Sequence, residues 1–379
     1  MRKSFNTSGV CFPDIHYMVN VDSRTEQLIQ GLILQHKYFT INCARQYGKT
    51  TILDALYQKL KLEYSVFFLN FEDMGSAAFS DEYQFCKAFL HLMKAQIAYG
   101  MTQGISELAV TQMERNMERE NFGFPMLKDL MTQMCMTADR AVILMIDEVD
   151  QACNNQIFID FLAILRSMYL RRRDIMTFQS VVLAGVYDVK NLKVKIRPQE
   201  QHKYNSPWNI AADFPVNMSF SKEDIAGMLQ EYETDLETGM DLHSLSWMLW
   251  DYTGGYPFLV SKLCKILDEQ LPGSPKFRDR SQSWTKEGLL EAVRIILSEK
   301  NPLFDSLTEK LSAYPQLREM VEALLFEGNS IAYNPDDDAV GMAMMFGFVK
   351  ADGSMVAIAN RIFEMFLHRY LAVSQQTSL

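Results

Sequence analysis

The stretch Asn42–Thr51 reads NCARQYGKTT. It follows KYFTI (Lys37–Ile41), a short aromatic and β-branched run that reads as a strand. It leads into ILDALYQKLKLEY, where Ile52, Leu53, Leu56, Leu60 and Leu62 recur at mostly helical spacing. A strand, a glycine-containing loop and a helix form the context in which a loop cradles phosphate. Gly48 lets the backbone approach a phosphate without a side chain in the way. Lys49 has the reach for β- and γ-phosphates, and the Thr50 hydroxyl suits Mg2+. Backbone N–H groups from Arg45, Gln46, Tyr47, Gly48, Lys49, Thr50 and Thr51 complete the expected cradle. The glycine that opens such a loop is replaced by Cys43. Cys43 is small, so the turn out of the strand is expected to form at some cost in strain.

A second, independent element lies at AVILMIDEVD (Ala141–Asp150). Six apolar residues run without alternation into an acid pair, the pattern of a strand buried on both faces of a parallel sheet. Asp147 is placed to hold Mg2+ through water, and Glu148 to activate an attacking water. A glutamate next to the metal aspartate favours hydrolysis over transfer to a small acceptor. No guanine-reading NKxD-type motif is present in a suitable place, so ATP is preferred to GTP.

Further strands are expected at Ser65–Phe71 and Ser180–Val186, with a weaker fifth at Phe214–Phe220. Three helices are expected between 80 and 138, broken near Gly100–Gly104 and Gly123–Pro125, and another over Asn155–Arg172. Strands alternating with helices give an α/β fold, a three-layer P-loop NTPase sheet with a five-strand parallel core spanning residues 1–220. After Ser221, a helix cap with Asp224 three residues on, the text is helical. Residues 221–300 read as a helical lid interrupted by TGGYP and LPGSP. Residues 301–379 read as helices, a hairpin turning at Asp352–Gly353 and a closing amphipathic helix, a winged-helix-like arrangement.

The net charge of −10 disfavours a broad nucleic-acid surface. Local basic candidates are Arg171–Arg173 and the run Lys190–Pro198. The six cysteines form no CxxC pair and no zinc spacing with histidine, which reads as reduced thiols in a cytoplasmic protein. The N-terminus lacks the apolar core of a signal peptide, and no apolar run approaches the ~20 residues of a membrane span. The 24 methionines fit adaptable packing.

Together these motifs resemble the bacterial AAA-like, STAND-type P-loop ATPases, a group with degenerate loop openings and an R-x-x-G-K-T core. ARQYGKTT matches that core and VILMIDEVDQ the metal and water motif, while TGGYPFLVSKLC resembles the G-x-P element of the helical domain. The likeness covers roughly residues 15–265. It implies that Pro257 packs against adenine and that Arg24, in VDSRTEQL, lies near the nucleotide. It also implies a γ-phosphate sensor where the fourth strand ends. That strand reads LAGVYDVKN, so Gly185 occupies the turn and the sensor falls to Asp188 or Asn191. Arg45, Arg166 or Arg171–Arg173 are the alternative sources of positive charge. His16 is a candidate for the adenine pocket. No nuclease signature follows Asn301. The resulting expectation is an ATP-binding, Mg2+-dependent slow ATPase acting as a switch, with an unidentified protein partner and a possible homo-oligomeric state. The alternative is a nucleotide-gated interaction module, or one that binds DNA through its C-terminal domain, with negligible hydrolysis.

Overall fold

Four strands, β1 (Phe39–Asn42), β2 (Ser65–Asn70), β3 (Val142–Asp147) and β4 (Ser180–Gly185), form one parallel sheet in the order β1-β4-β3-β2. The computed structural model describes residues 2–153, 155–187, 207–328, 330–334 and 336–376. These fall into two units. One comprises Val21–Asn42 and Ile52–Val216, and the other Met1–Asn20, Cys43–Thr51 and Asn217–Leu379.

The sheet belongs to the unit of Val21–Asn42 and Ile52–Val216. Every residue of β3 and β4 is buried, as the unbroken apolar runs require. Each large apolar side chain of β3 contributes about 2 kcal/mol by leaving water. Successive side chains alternate between faces. Phe67, Leu69, Leu144, Ile146, Val181 and Leu183 therefore share one face, within a core that includes Phe85, Phe89, Leu127, Phe161 and Leu165. Those partners come from α3 (Glu82–Ala98), α5 (Phe124–Thr137) and α6 (Gln156–Leu170), with α4 (Glu107–Met117) between α3 and α5. The three helices between 80 and 138 and their breaks appear as expected. Asp81 and Ser106 cap α3 and α4 by accepting from Gln84 N and Ala109 N, each worth about 1 kcal/mol. On the other face, Tyr57 of α2 (Lys49–Leu60) meets Phe68 of β2 with ring centroids 5.6 Å apart. The helical spacing assigned to Leu62 does not hold. It lies beyond α2 and is 71% exposed.

The five-strand core is corrected to four strands. Beside β1, among the described residues, there is only a parallel bridge at Ala212, whose N–H donates to Tyr38 O at 2.8 Å. Trp208, fully buried, donates its indole N–H to Thr40 Oγ1 at 2.8 Å and covers that edge. Three positions of the expected strand Phe214–Phe220 offer no donor to a ladder. Pro215 has none, Ser219 N bonds Asn217 Oδ1 in a local turn, and Phe220 N bonds Gly255 O.

In the other unit the segment from Ser221 opens with α7 (Lys222–Leu236), and the capping box of Ser221 and Asp224 is complete. It continues through α8 (Leu242–Thr253), α9 (Pro257–Lys265), α10 (Arg280–Ser283) and α11 (Lys286–Ser298), with breaks at TGGYP and LPGSP as expected. Phe5, Tyr17, Tyr232 and Trp284 form a buried aromatic cluster, with neighbouring centroids 4.7–5.9 Å apart. Beside it, buried Asp268 accepts from Tyr232 Oη at 2.6 Å, from Arg280 at 2.7 Å and from Arg2. The C-terminal part contains α12 (Pro302–Ala313), α13 (Pro315–Phe326) and α14 (Asp338–Met345), the antiparallel hairpin β5 (Val349–Asp352) and β6 (Met355–Ile358), and α15 (Arg361–Gln376). The hairpin turns through Gly353–Ser354, with Gly353 at φ 59°.

No helix among the described residues is long and apolar enough to cross a membrane. Cys86, Cys135, Cys153 and Cys264 are buried and in no disulfide, and burial pushes the Cys86 and Cys135 thiols up to about 12.

Candidate functional site: a phosphate loop and an acid turn

The loop leaves β1 at Asn42 and enters α2 at Lys49. Its left-handed positions are Gln46 (φ 59°) and Gly48 (φ 82°). The strain expected at Cys43 is not there, because Cys43 has no positive φ. The strain sits at Gln46, where a side chain in this conformation costs about 1 kcal/mol. Gln46 carries a second cost, since its Oε1 is buried with no hydrogen-bond partner among the described residues. At Gly48 a Cβ would meet no atom within 4 Å. Glycine is required there by backbone conformation rather than by packing, and the space above it is open.

Lys49 is 7% exposed, and its Nζ donates to Cys43 O at 3.2 Å and Ala44 O at 3.3 Å. The ammonium is thus folded back over the loop's own backbone. The first amides of α2, from Lys49 through Thr51, have no partner within their helix and carry the positive end of its dipole. Thr50 is half-buried. The Thr51 hydroxyl accepts from Cys11 N at 3.2 Å, tying the N-terminal segment to the first turn of α2. Arg45 is exposed.

Three aromatic contacts hold the loop. Tyr256 Oη donates to Arg45 O. Tyr47 Oη lies 2.7 Å from Ser219 Oγ, and the Tyr47 and Tyr256 rings meet edge to face at 4.4 Å. Neither tyrosine was singled out for this by sequence reasoning, although both stand inside quoted motifs. Tyr256 precedes Pro257, which is buried at the first position of α9, where a missing N–H costs nothing. The preceding turn requires glycine, because a Cβ on Gly255 would lie 2.0 Å from Phe220 O. His16 serves its own turn. Its Nδ1 accepts from Phe12 N at 2.9 Å, and burial lowers its pKa.

The acid turn ends β3 in the unit of the sheet. Asp147 is 2% exposed, lies in register with Asn70, and accepts from Glu148 N at 2.9 Å. Glu148 is left-handed at φ 55° and half-buried. Asp150, which the sequence reading passed over, accepts from Val186 N at 2.7 Å and Tyr187 N at 2.9 Å. Gly185 permits this, since a Cβ there would lie 2.8 Å from Asp150 Oδ1. The only advance signal was an aspartate two residues beyond the acid pair and a glycine at the end of the next strand. Arg24 lies half-buried on α1 (Asp22–Leu28) in the same unit. Arg166 is half-buried, with its Nε unpartnered among the described residues. Arg171, Arg172 and Arg173 are exposed, and the Arg172 guanidinium stacks 3.8 Å from the Tyr169 ring. The sensor candidates Asp188 and Asn191, and the basic run Lys190–Pro198, lie outside the described residues.

A family model described as an AAA-like domain matches residues 13–369. Among solved structures, a Walker-type ATPase of Pyrococcus abyssi matches with a TM-score of 0.60 at 12% identity, over 96% of this chain and 99% of that one. The ORC2 protein of Aeropyrum pernix, solved as ADPNP–ADP complexes, matches with a TM-score of 0.51 at 11% identity, over 97% and 98%. At these identities the likeness is one of fold. No curated protein matches the sequence.

Proposed function

Because the chain belongs to the AAA-like domain family, we propose that it binds ATP with Mg2+, hydrolyses it slowly and acts as a nucleotide-driven switch. The observation that carries this is the loop itself. Gly48 leaves open a space that a Cβ would enter, Lys49 is held beside it, and α2 begins there, its first amides without an acceptor inside the helix. Positive charge and convergent N–H donors fit a polyphosphate. Lys49 and the amides of Arg45–Thr51 would hold the phosphates, Thr50 and Asp147 the metal, and Pro257 and Arg24 the rest of the nucleotide. The metal would neutralise phosphate charge. Glu148 would orient and deprotonate water. The reading of slow turnover is supported by the end of β4, where the amides of Val186 and Tyr187 are taken by Asp150.

The same reading divides the chain into an ATPase core (1–220), a lid (221–300) and a winged-helix-like domain (301–379), in a cytoplasmic protein that contacts a protein effector, with self-association as a further property. Titration calorimetry and phosphate release test it. Lys49→Ala is expected to abolish ATP binding, and Glu148→Gln to keep binding and lose turnover. Unchanged phosphate release in both variants would overturn it. ATP binding with no phosphate release in the unaltered protein would favour the nucleotide-gated interaction module, and salt-sensitive DNA binding its DNA-binding form.

A further inference from the structure

The phosphate loop is held by residues far away in the chain, and these contacts act on particular peptide groups. Tyr256 Oη donates to the carbonyl of Arg45, 211 positions earlier. In a trans peptide the C=O and the following N–H point in opposite directions. Fixing Arg45 O on the tyrosine side therefore aims the Gln46 N–H the other way. It does so at the residue that must be held left-handed. The next side chain is locked as well, because Tyr47 bonds Ser219 and its ring packs on Tyr256. Tyr256 is itself wedged from behind, its ring meeting Phe363 of α15 at 5.3 Å. A Cβ on Gly347, in the turn before β5, would lie 2.7 Å from Ala44 Cβ and 3.8 Å from the Tyr256 ring.

We propose that Tyr256 is a positioning residue for the phosphate loop, and that through Tyr256, Tyr47 and Gly347 the affinity for nucleotide is coupled to the residues around the hairpin and α15. This rests on the loop being the nucleotide site. Coupling of this kind is reciprocal, so nucleotide binding must also stabilise those residues. Burial raises the pKa of Tyr256 well above its ordinary value, so its hydroxyl remains a donor across the working pH range.

The test uses the full chain, hydrogen–deuterium exchange and calorimetry with ATP. Tyr256→Phe keeps the ring and removes only the donor. It is expected to speed exchange in peptides covering 43–51 without nucleotide, and to weaken ATP binding about three- to tenfold, the range of one lost hydrogen bond. In the unaltered protein ATP is expected to slow exchange in 345–350 and 361–366, and in Tyr256→Phe at saturating ATP that protection is lost. A merely structural tyrosine would not give this selective loss. Gly347→Ala, which presses on the loop from the hairpin side, is expected to weaken ATP binding as well. If Tyr256→Phe leaves both the exchange of 43–51 and the affinity unchanged, the proposal fails. If the unaltered protein binds no ATP, the functional reading and the coupling to affinity both fall, and the nucleotide-free exchange still decides whether Tyr256 positions the loop.

Discussion

The phosphate loop and the acid turn face the same structural problem. Each follows a buried strand, and each holds a non-glycine residue left-handed, Gln46 at φ 59° and Glu148 at φ 55°. The acid turn is held from within its own sheet. Asp147 accepts from Glu148 N, and Asp150 accepts from the amides just past β4. The loop is held by Tyr256, Ser219 and Gly347, all more than 170 positions away. Turn geometry on the acid side therefore follows once the sheet forms, whereas loop geometry depends on residues that join the chain far later than the loop itself.

Asp150→Ala should break this comparison most forcefully if it is wrong. The substitution leaves the amides of Val186 and Tyr187 without their charged acceptor, at a cost of about 2–4 kcal/mol. Denaturant titration should show that loss. ATP affinity should stay within about twofold of the unaltered protein. A large loss of affinity would mean that the two turns are not independently held.

Alkaline pH probes the other side. Burial raises the pKa of Tyr256 and Tyr47, and of Tyr232 in the same unit. Below pH 10, their ordinary value, both folded and unfolded states keep the proton and stability is complete. Above it the unfolded chain ionises and the fold does not, so stability falls by up to about 1.4 kcal/mol per pH unit for each such group until the folded pKa is reached. Denaturation curves at pH 8 and about pH 11 should differ in this direction, and equal midpoints would count against the buried tyrosines. The smallest effects are gains. Gln46→Gly relieves backbone strain and a buried unpaired oxygen, worth about 1–2 kcal/mol, or a few degrees of melting temperature. Glu148→Gly relieves backbone strain alone, so its gain should be smaller, about 1 kcal/mol, with turnover lost.

What the sequence made legible follows the same divide. The runs VILMI and VVLAG announced strands buried on both faces because no residue in them needs water. Ser221 and Asp224 announced a helix start through chemistry spanning four residues. The fifth strand was misread because Val216 and Met218 are buried like strand residues, while the backbone donors at Ser219 and Phe220 are used elsewhere. Gly48, Lys49 and Thr50 were legible as a local pattern in the chain. The Tyr47–Tyr256 pair was not, since nothing local in either motif specifies the other. Cys43 drew attention as the irregular residue, yet the conformational cost fell on Gln46, which has no sequence signal of strain.

The aromatic cluster around Tyr232 sets a timetable for synthesis. Phe5 and Tyr17 complete that cluster, and Arg2 and Lys3 pair with Asp268 and Glu231. These residues therefore leave the ribosome well before the partners they pack against. At about 5–20 residues per second, Trp284 follows Tyr17 by roughly 15–50 s. Until Tyr232 and Trp284 emerge, Phe5 and Tyr17 lack the aromatic partners that complete the cluster, and the sheet with its helices can form meanwhile. The segment of Phe5 and Tyr17 is thus made early and seated late, which makes it a natural client for whatever shields nascent apolar chain in the cell.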